Sequence, residues 1–288
     1  MPIATLGVYA ALVAWTGLLA YGARSGSWRP FLFFGIAFLL VLNIGYFVNG
    51  ATASIASFIS IYDLLDNLGV DPAVGAPALA ACPDNACSTW SERYELHPSW
   101  GVAFYDRFAN GDAMRTNLLY GHIGFNTAAF VLMHVQLFRP GYGAAKKGHG
   151  LIGKLTFAAV TLSVICACLL ASQHGPVESY GGSWSTWGFY SMSAVVFGCI
   201  CMGAVKARQG DMDGHRVWMI RFIGAMWGSF WLFRVMLFVL GPILREWDAA
   251  ALLICIWFSA PLGVLIAEAI RRRLDRRIPA RAAPVPGE

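Results

Sequence analysis

The stretch Gly148–Ser172 reads GHGLIGKLTFAAVTLSVICACLLAS. After Lys154 it carries no charged residue through Ser172. A run of this kind is close to the roughly 20 residues that cross the hydrocarbon layer of a bilayer. In lipid every backbone N–H and C=O must be satisfied inside the segment, so the run is read as an α-helix. Working outward, similar runs recur at Ile3–Tyr21, Phe31–Gly50, Asn117–Phe138, Leu151–Ser172, Trp187–Val205, Val217–Leu240 and Ala249–Ile270. Seven spans follow. The alternating segments of about 10 residues that a membrane barrel needs are absent. The expected fold class is all-α: a polytopic transmembrane helical bundle.

Composition agrees. Apolar residues make up 57% of the chain and charged residues 13%, against roughly 45–50% and about 25% in a soluble domain. The net charge of +5 is not a nucleic-acid footprint, because its placement follows the spans. With seven crossings, Arg24, Arg29, Arg139, Lys146, Lys147, Lys154, Lys206, Arg208, Arg216, Arg221 and the arginines from Arg271 to Arg281 fall on one side. The positive-inside bias puts that side in the cytoplasm, with the amino terminus outside and the carboxyl terminus inside. No basic residue precedes the first apolar run and Arg24 follows it, so it reads as a span rather than a cleaved signal peptide.

Four parts follow in order. Residues 1–61 hold the first two spans, the second of which can continue as a helix through Ile61. Residues 62–116 form an outer loop or cap with eight acids against three arginines. Its Cys82 and Cys87 face an oxidising compartment, so a disulfide is expected; a metal pair is the alternative. Residues 117–272 form a five-helix core that bears the histidines. Residues 273–288, with Pro279, Pro284 and Pro286, read as a disordered cytoplasmic tail. Cys166, Cys168, Cys199, Cys201 and Cys255 lie in the spans and read as small packing residues.

Chemistry is sought at three Gly-His pairs: Gly121-His122, Gly148-His149 and Gly214-His215. On the third span His122, Asn126, Ala129, Met133 and Gln136 share one helical face. On the fourth, His149, Gly153, Thr156, Ser163, Ala167 and His174 form a small and polar stripe. In membranes such faces look toward other helices. Depth divides the histidines. His149, His215 and His134 lie toward the inner face. His122 and His174 lie toward the outer face, at the level of Arg234, and His97 is in the outer loop. Arg234 points inward, because a charge facing lipid is costly and usually marks function.

Three functions fit. The first is b-type haem, with imidazoles as axial ligands. His149 and His215 are the inner pair, His122 and His174 a weaker outer pair, and Arg221 or Arg234 would meet the propionates. The second is a non-haem metal held by the inner histidines. The third is a transporter or accessory membrane protein without a prosthetic group, using His122 and Arg234 in a polar intramembrane site. An interfacial histidine after glycine also serves simply as an anchor to headgroups, and Arg234 as a partner of loop carbonyls. No nucleotide-binding glycine motif in a soluble domain is present. An electron donor would therefore be separate or lipid-soluble: a quinone or another membrane redox protein, beside the lipid bilayer itself.

One resemblance is carried by HGLIGKL at 149–155, AVKAR at 204–208, HRVWMIR at 215–221 and Arg234, with His122 preceding them. The stretch Asn117–Leu240 resembles the bacterial predicted membrane proteins grouped as domain of unknown function 2306. The resemblance implies a multi-pass protein of the bacterial cytoplasmic membrane. It implies no activity, and so leaves haem, metal and transport open.

Overall fold

The computed structural model describes residues 3–50, 113–138, 145–172, 182–244 and 248–277. All the elements are helical: α1 (Ile3–Ser25), α2 (Arg29–Val48), α3 (Ala113–Phe138), α4 (Ala145–Ser172), α5 (Gly182–Arg208), α6 (Met212–Trp227), α7 (Phe233–Leu244) and α8 (Asp248–Arg277). A π-helical turn, Gly228–Leu232, joins α6 to α7 without a break, so the two form one span. Six spans are long and apolar enough to cross a membrane. With α1, 23 residues long, the described residues hold the seven crossings expected.

Helix ends follow local chemistry. Gly26 (φ 78°) closes α1 in the left-handed region, where an L side chain is strained. Pro30 then sits in the first turn of α2, where its missing N–H removes no helical bond. Gly50 (φ 85°) leaves the helical region just after α2. The helix therefore stops at Val48, and the continuation toward Ile61 lies outside the described residues. Gly210 (φ 76°) closes α5. Asp211 then caps α6, its side chain accepting from the Gly214 N–H at 2.8 Å.

Several expected boundaries move. α3 starts at Ala113 rather than Asn117, which brings Arg115 from the outer loop into a buried position on the first turn. α4 starts at Ala145, so His149 lies one turn inside the helix rather than opening it. α8 continues to Arg277, past residue 272. Cys82, Cys87, His97 and His174 lie outside the described residues, as do 278–288.

Aromatic rings fill the centre. Trp15 of α1, Phe31 of α2, Phe130 of α3 and Trp227, Phe230 and Trp231 of the sixth span are buried together. Phe31 stacks on Trp227 at 4.6 Å and Trp15 meets Trp227 edge-on at 4.9 Å, geometries that suit the ring quadrupole. The expected faces of α3 and α4 meet: Ala129, Met133, Thr156 and Ser163 are all buried. α6 and α8 approach closely through glycines. A Cβ on Gly224 would stand 2.5 Å from the Gly263 carbonyl oxygen, the close backbone approach that small residues permit between membrane helices. Outward, Val13, Phe33, Val41 and Leu151 are exposed, as suits a surface solvated by lipid.

Candidate functional site

At one end of the bundle the second turn of α4 and the first turn of α6 bring His149 and His215 together. Their ring centroids are 6.3 Å apart and their planes lie at 83°. Each ring is placed by a neighbouring helix. Nδ1 of His215 lies 2.8 Å from the Gly203 carbonyl oxygen of α5. That nitrogen must donate, which leaves the lone pair on Nε2. A backbone carbonyl holding the other ring nitrogen is the usual support of a metal-binding histidine. The Gln136 side-chain amide of α3 donates to the His149 carbonyl at 2.9 Å, which ties the ends of α3 and α4. Nδ1 of His149 is buried without a hydrogen-bond partner. Buried polar atoms are nearly always satisfied, so an orphan calls for a reason.

Asp211 sets the entry to this site. Its carboxyl accepts from the Gly214 amide and pairs with Lys206 at 3.0 Å. The amide first, and then the lysine, hold it below the usual carboxylate range. The His215 N–H donates to the Asp211 carbonyl at 2.9 Å, so the cap fixes where the imidazole begins.

His134 does not join the pair. Nδ1 lies 2.7 Å from the Phe130 carbonyl and Nε2 accepts from the Trp227 indole at 3.1 Å. Both nitrogens are engaged, and the side chain is a buried polar lock between α3 and α6. Among the described residues no group of three or more His, Cys, Asp or Glu is arranged to hold a metal ion. The expected three-imidazole site is therefore not formed.

Arg221 is likewise committed elsewhere. Its Nε donates to Glu268 at 3.4 Å and its guanidinium lies over Trp218 at 4.7 Å. Glu268 also accepts from Arg271 and Arg272. This carboxylate is not among the residues that the sequence pattern singles out. Its signal was Glu268 three and four residues before Arg271 and Arg272, the spacing at which helix side chains meet.

Toward the other end, His122 and Arg234 take different partners. Nδ1 of His122 lies 3.1 Å from both the carbonyl oxygen and the hydroxyl of Ser163 on α4. Arg234 donates from Nη1 to the Phe230 carbonyl at 2.7 Å, and its guanidinium covers the Phe230 ring at 4.2 Å. No carboxylate among the described residues pairs with Arg234. An arginine in a span costs about 2.5–3.5 kcal/mol on insertion scales. The π turn contributes here: Phe233 N–H reaches back to the Gly228 carbonyl, and one extra residue per turn rotates the following face by about 100°. That rotation aims Arg234.

Residues 119–270 match the family described as predicted membrane protein (DUF2306). The chain belongs to this family. The DUF2306 region takes in α3 from Leu119 through α8 to Ile270, and so includes His122, His134, His149, His215, Arg221, Arg234 and Glu268. It reaches one helix beyond Leu240, while α1 and α2 precede it. No curated protein and no solved structure matches the chain.

Proposed function

We propose that this DUF2306 protein is a redox-related membrane protein that holds b-type haem between His149 and His215. The observation that carries the reading is the 6.3 Å spacing of two rings with nearly perpendicular planes, beside an orphaned His149 nitrogen. At this spacing His149 and His215 could each offer a ring nitrogen to one metal held between them. A bare ion such as zinc needs four ligands, and no third ligand is grouped with the pair among the described residues. Haem, which carries nitrogen ligands of its own, would ask only His149 and His215 of the chain.

Bound haem supplies a one-electron centre. The chain's own residues supply orientation and position. Gly203 fixes the His215 tautomer, Gln136 holds the backbone at His149, and Asp211 sets the first turn of α6. The partner on this reading is a quinone or another redox protein of the bacterial cytoplasmic membrane.

The test is the spectrum of the purified protein with added haemin. A Soret band is expected, lost in His149→Ala and in His215→Ala and kept in His122→Ala. No Soret band after haemin supplementation ends the proposal. The alternative, a transporter or accessory membrane protein without a prosthetic group, is favoured by the charge of Arg234 without a carboxylate. It expects a colourless protein that depends on Arg234 and His122.

A further inference from the structure

We propose that Arg234 is the head-group site for a singly charged oxyanion carried on an apolar chain, at the end of the bundle remote from His149 and His215. Separation comes from helix length: Arg234 is 19 residues beyond His215 along one continuous span, or roughly 28 Å at helical rise.

The guanidinium uses one N–H on the Phe230 carbonyl and one face on the Phe230 ring. It carries five N–H donors in a planar fork. Those that remain meet no acceptor among the described residues. The Tyr46 phenol, near the end of α2, lies within electrostatic reach of Arg234 and adds a neutral donor. Tyr46, Tyr120, Ile123 and Leu170 pack on the buried Leu119. Phe47 and Val48, which follow Tyr46, are 54% and 73% exposed, and Val239 and Ile243 leave apolar surface further along α7.

These features select the ligand. A guanidinium fork matches a carboxylate or a phosphate oxygen pair with two parallel hydrogen bonds. One cation without a counter-charge calls for one negative charge. Apolar walls open to lipid call for an alkyl chain behind the head. The ligand is therefore an anionic amphiphile, and its head is either a fatty carboxylate or the phosphodiester of an anionic lipid.

The experiment uses the full chain in a neutral detergent and native mass spectrometry of the retained ligand. Oleate is compared with methyl oleate, and phosphatidylglycerol with phosphatidylcholine. The expected result is one retained molecule per chain for oleate or for phosphatidylglycerol, and none for the neutral counterpart. Retention falls at least tenfold in Arg234→Gln, less in Arg234→Lys, which keeps the charge and loses the fork, and a few-fold in Tyr46→Phe. Retention of oleate assigns a carboxylate and retention of phosphatidylglycerol a phosphodiester. Equal retention of charged and neutral probes by the wild-type chain overturns the proposal, as does wild-type retention by a folded Arg234→Gln. Should that variant not fold, the comparison of probes and Tyr46→Phe decide. Haem plays no part in this readout, so a failure of the haem reading leaves the test intact.

Discussion

Gly224→Ala places a methyl group where α6 crosses α8. The new Cβ would stand 2.5 Å from the Gly263 carbonyl oxygen, 2.6 Å from the Ala267 Cβ and 3.1 Å from the Gly263 carbonyl carbon. Two of the three are backbone atoms, so no side chain can rotate away. Reaching ordinary van der Waals contact at 3.4 Å requires the helices to part by about 0.9 Å. A gap of about that size forfeits a quarter to a half of each contact along the crossing. Overpacking typically costs about 1–3 kcal/mol, and rigid backbone on the receiving side puts this case near 3. By the scaling of soluble proteins of similar size, that lowers Tm by about 6–12 °C. The assay is thermal unfolding in detergent followed by tryptophan fluorescence. Gly198→Ala on α5 is the control, because a Cβ there meets nothing within 4 Å. It should be neutral or slightly stabilising, since alanine is the better helix former. Indistinguishable melting of the two variants would refute the reasoning that the crossing is set by backbone contact.

His134→Phe removes the acceptor for the Trp227 indole and leaves that buried N–H unsatisfied, so stability should fall by about 1–3 kcal/mol in chemical denaturation. The same variant should keep any Soret band, because His134 is not a ligand on the reading above. Asp211→Ala should destabilise the protein at neutral pH. The Asp211 carboxyl is held below its unfolded range, so its contribution is present above that range and fades as pH falls through the folded value. Melting curves of variant and wild type should converge in acid, and a constant difference would contradict this. Mass analysis without reductant should find Cys82 linked to Cys87, and free thiols at both would remove the bond. A periplasmic reporter fused after Glu288 should be silent; activity would reverse the orientation.

The run 148–172 and its counterparts sufficed to determine a multi-pass helical membrane protein, because apolar length and backbone satisfaction depend on local sequence alone. The facing stripes of α3 and α4 were legible for the same reason: a helix of 3.6 residues per turn carries its face in its spacing. His149 and His215 could be placed at one end by counting crossings. Their 6.3 Å approach could not, since it depends on a carbonyl of α5 and a glutamine of α3. In the sequence His134 differs from the other inner histidines only in lacking the preceding glycine. Its removal from the site rests on an indole 93 residues away. The commitment of Arg221 to Glu268 joins α6 to α8 across 47 residues. The π turn that aims Arg234 is held where Gly228 meets the backbone of Ser259 and Ala260. Sequence decided which segments lie in the membrane, because transfer into lipid acts on each segment separately. Tertiary structure decided which polar groups are spent on one another and which are left for a ligand, because hydrogen bonds and close packing act between helices.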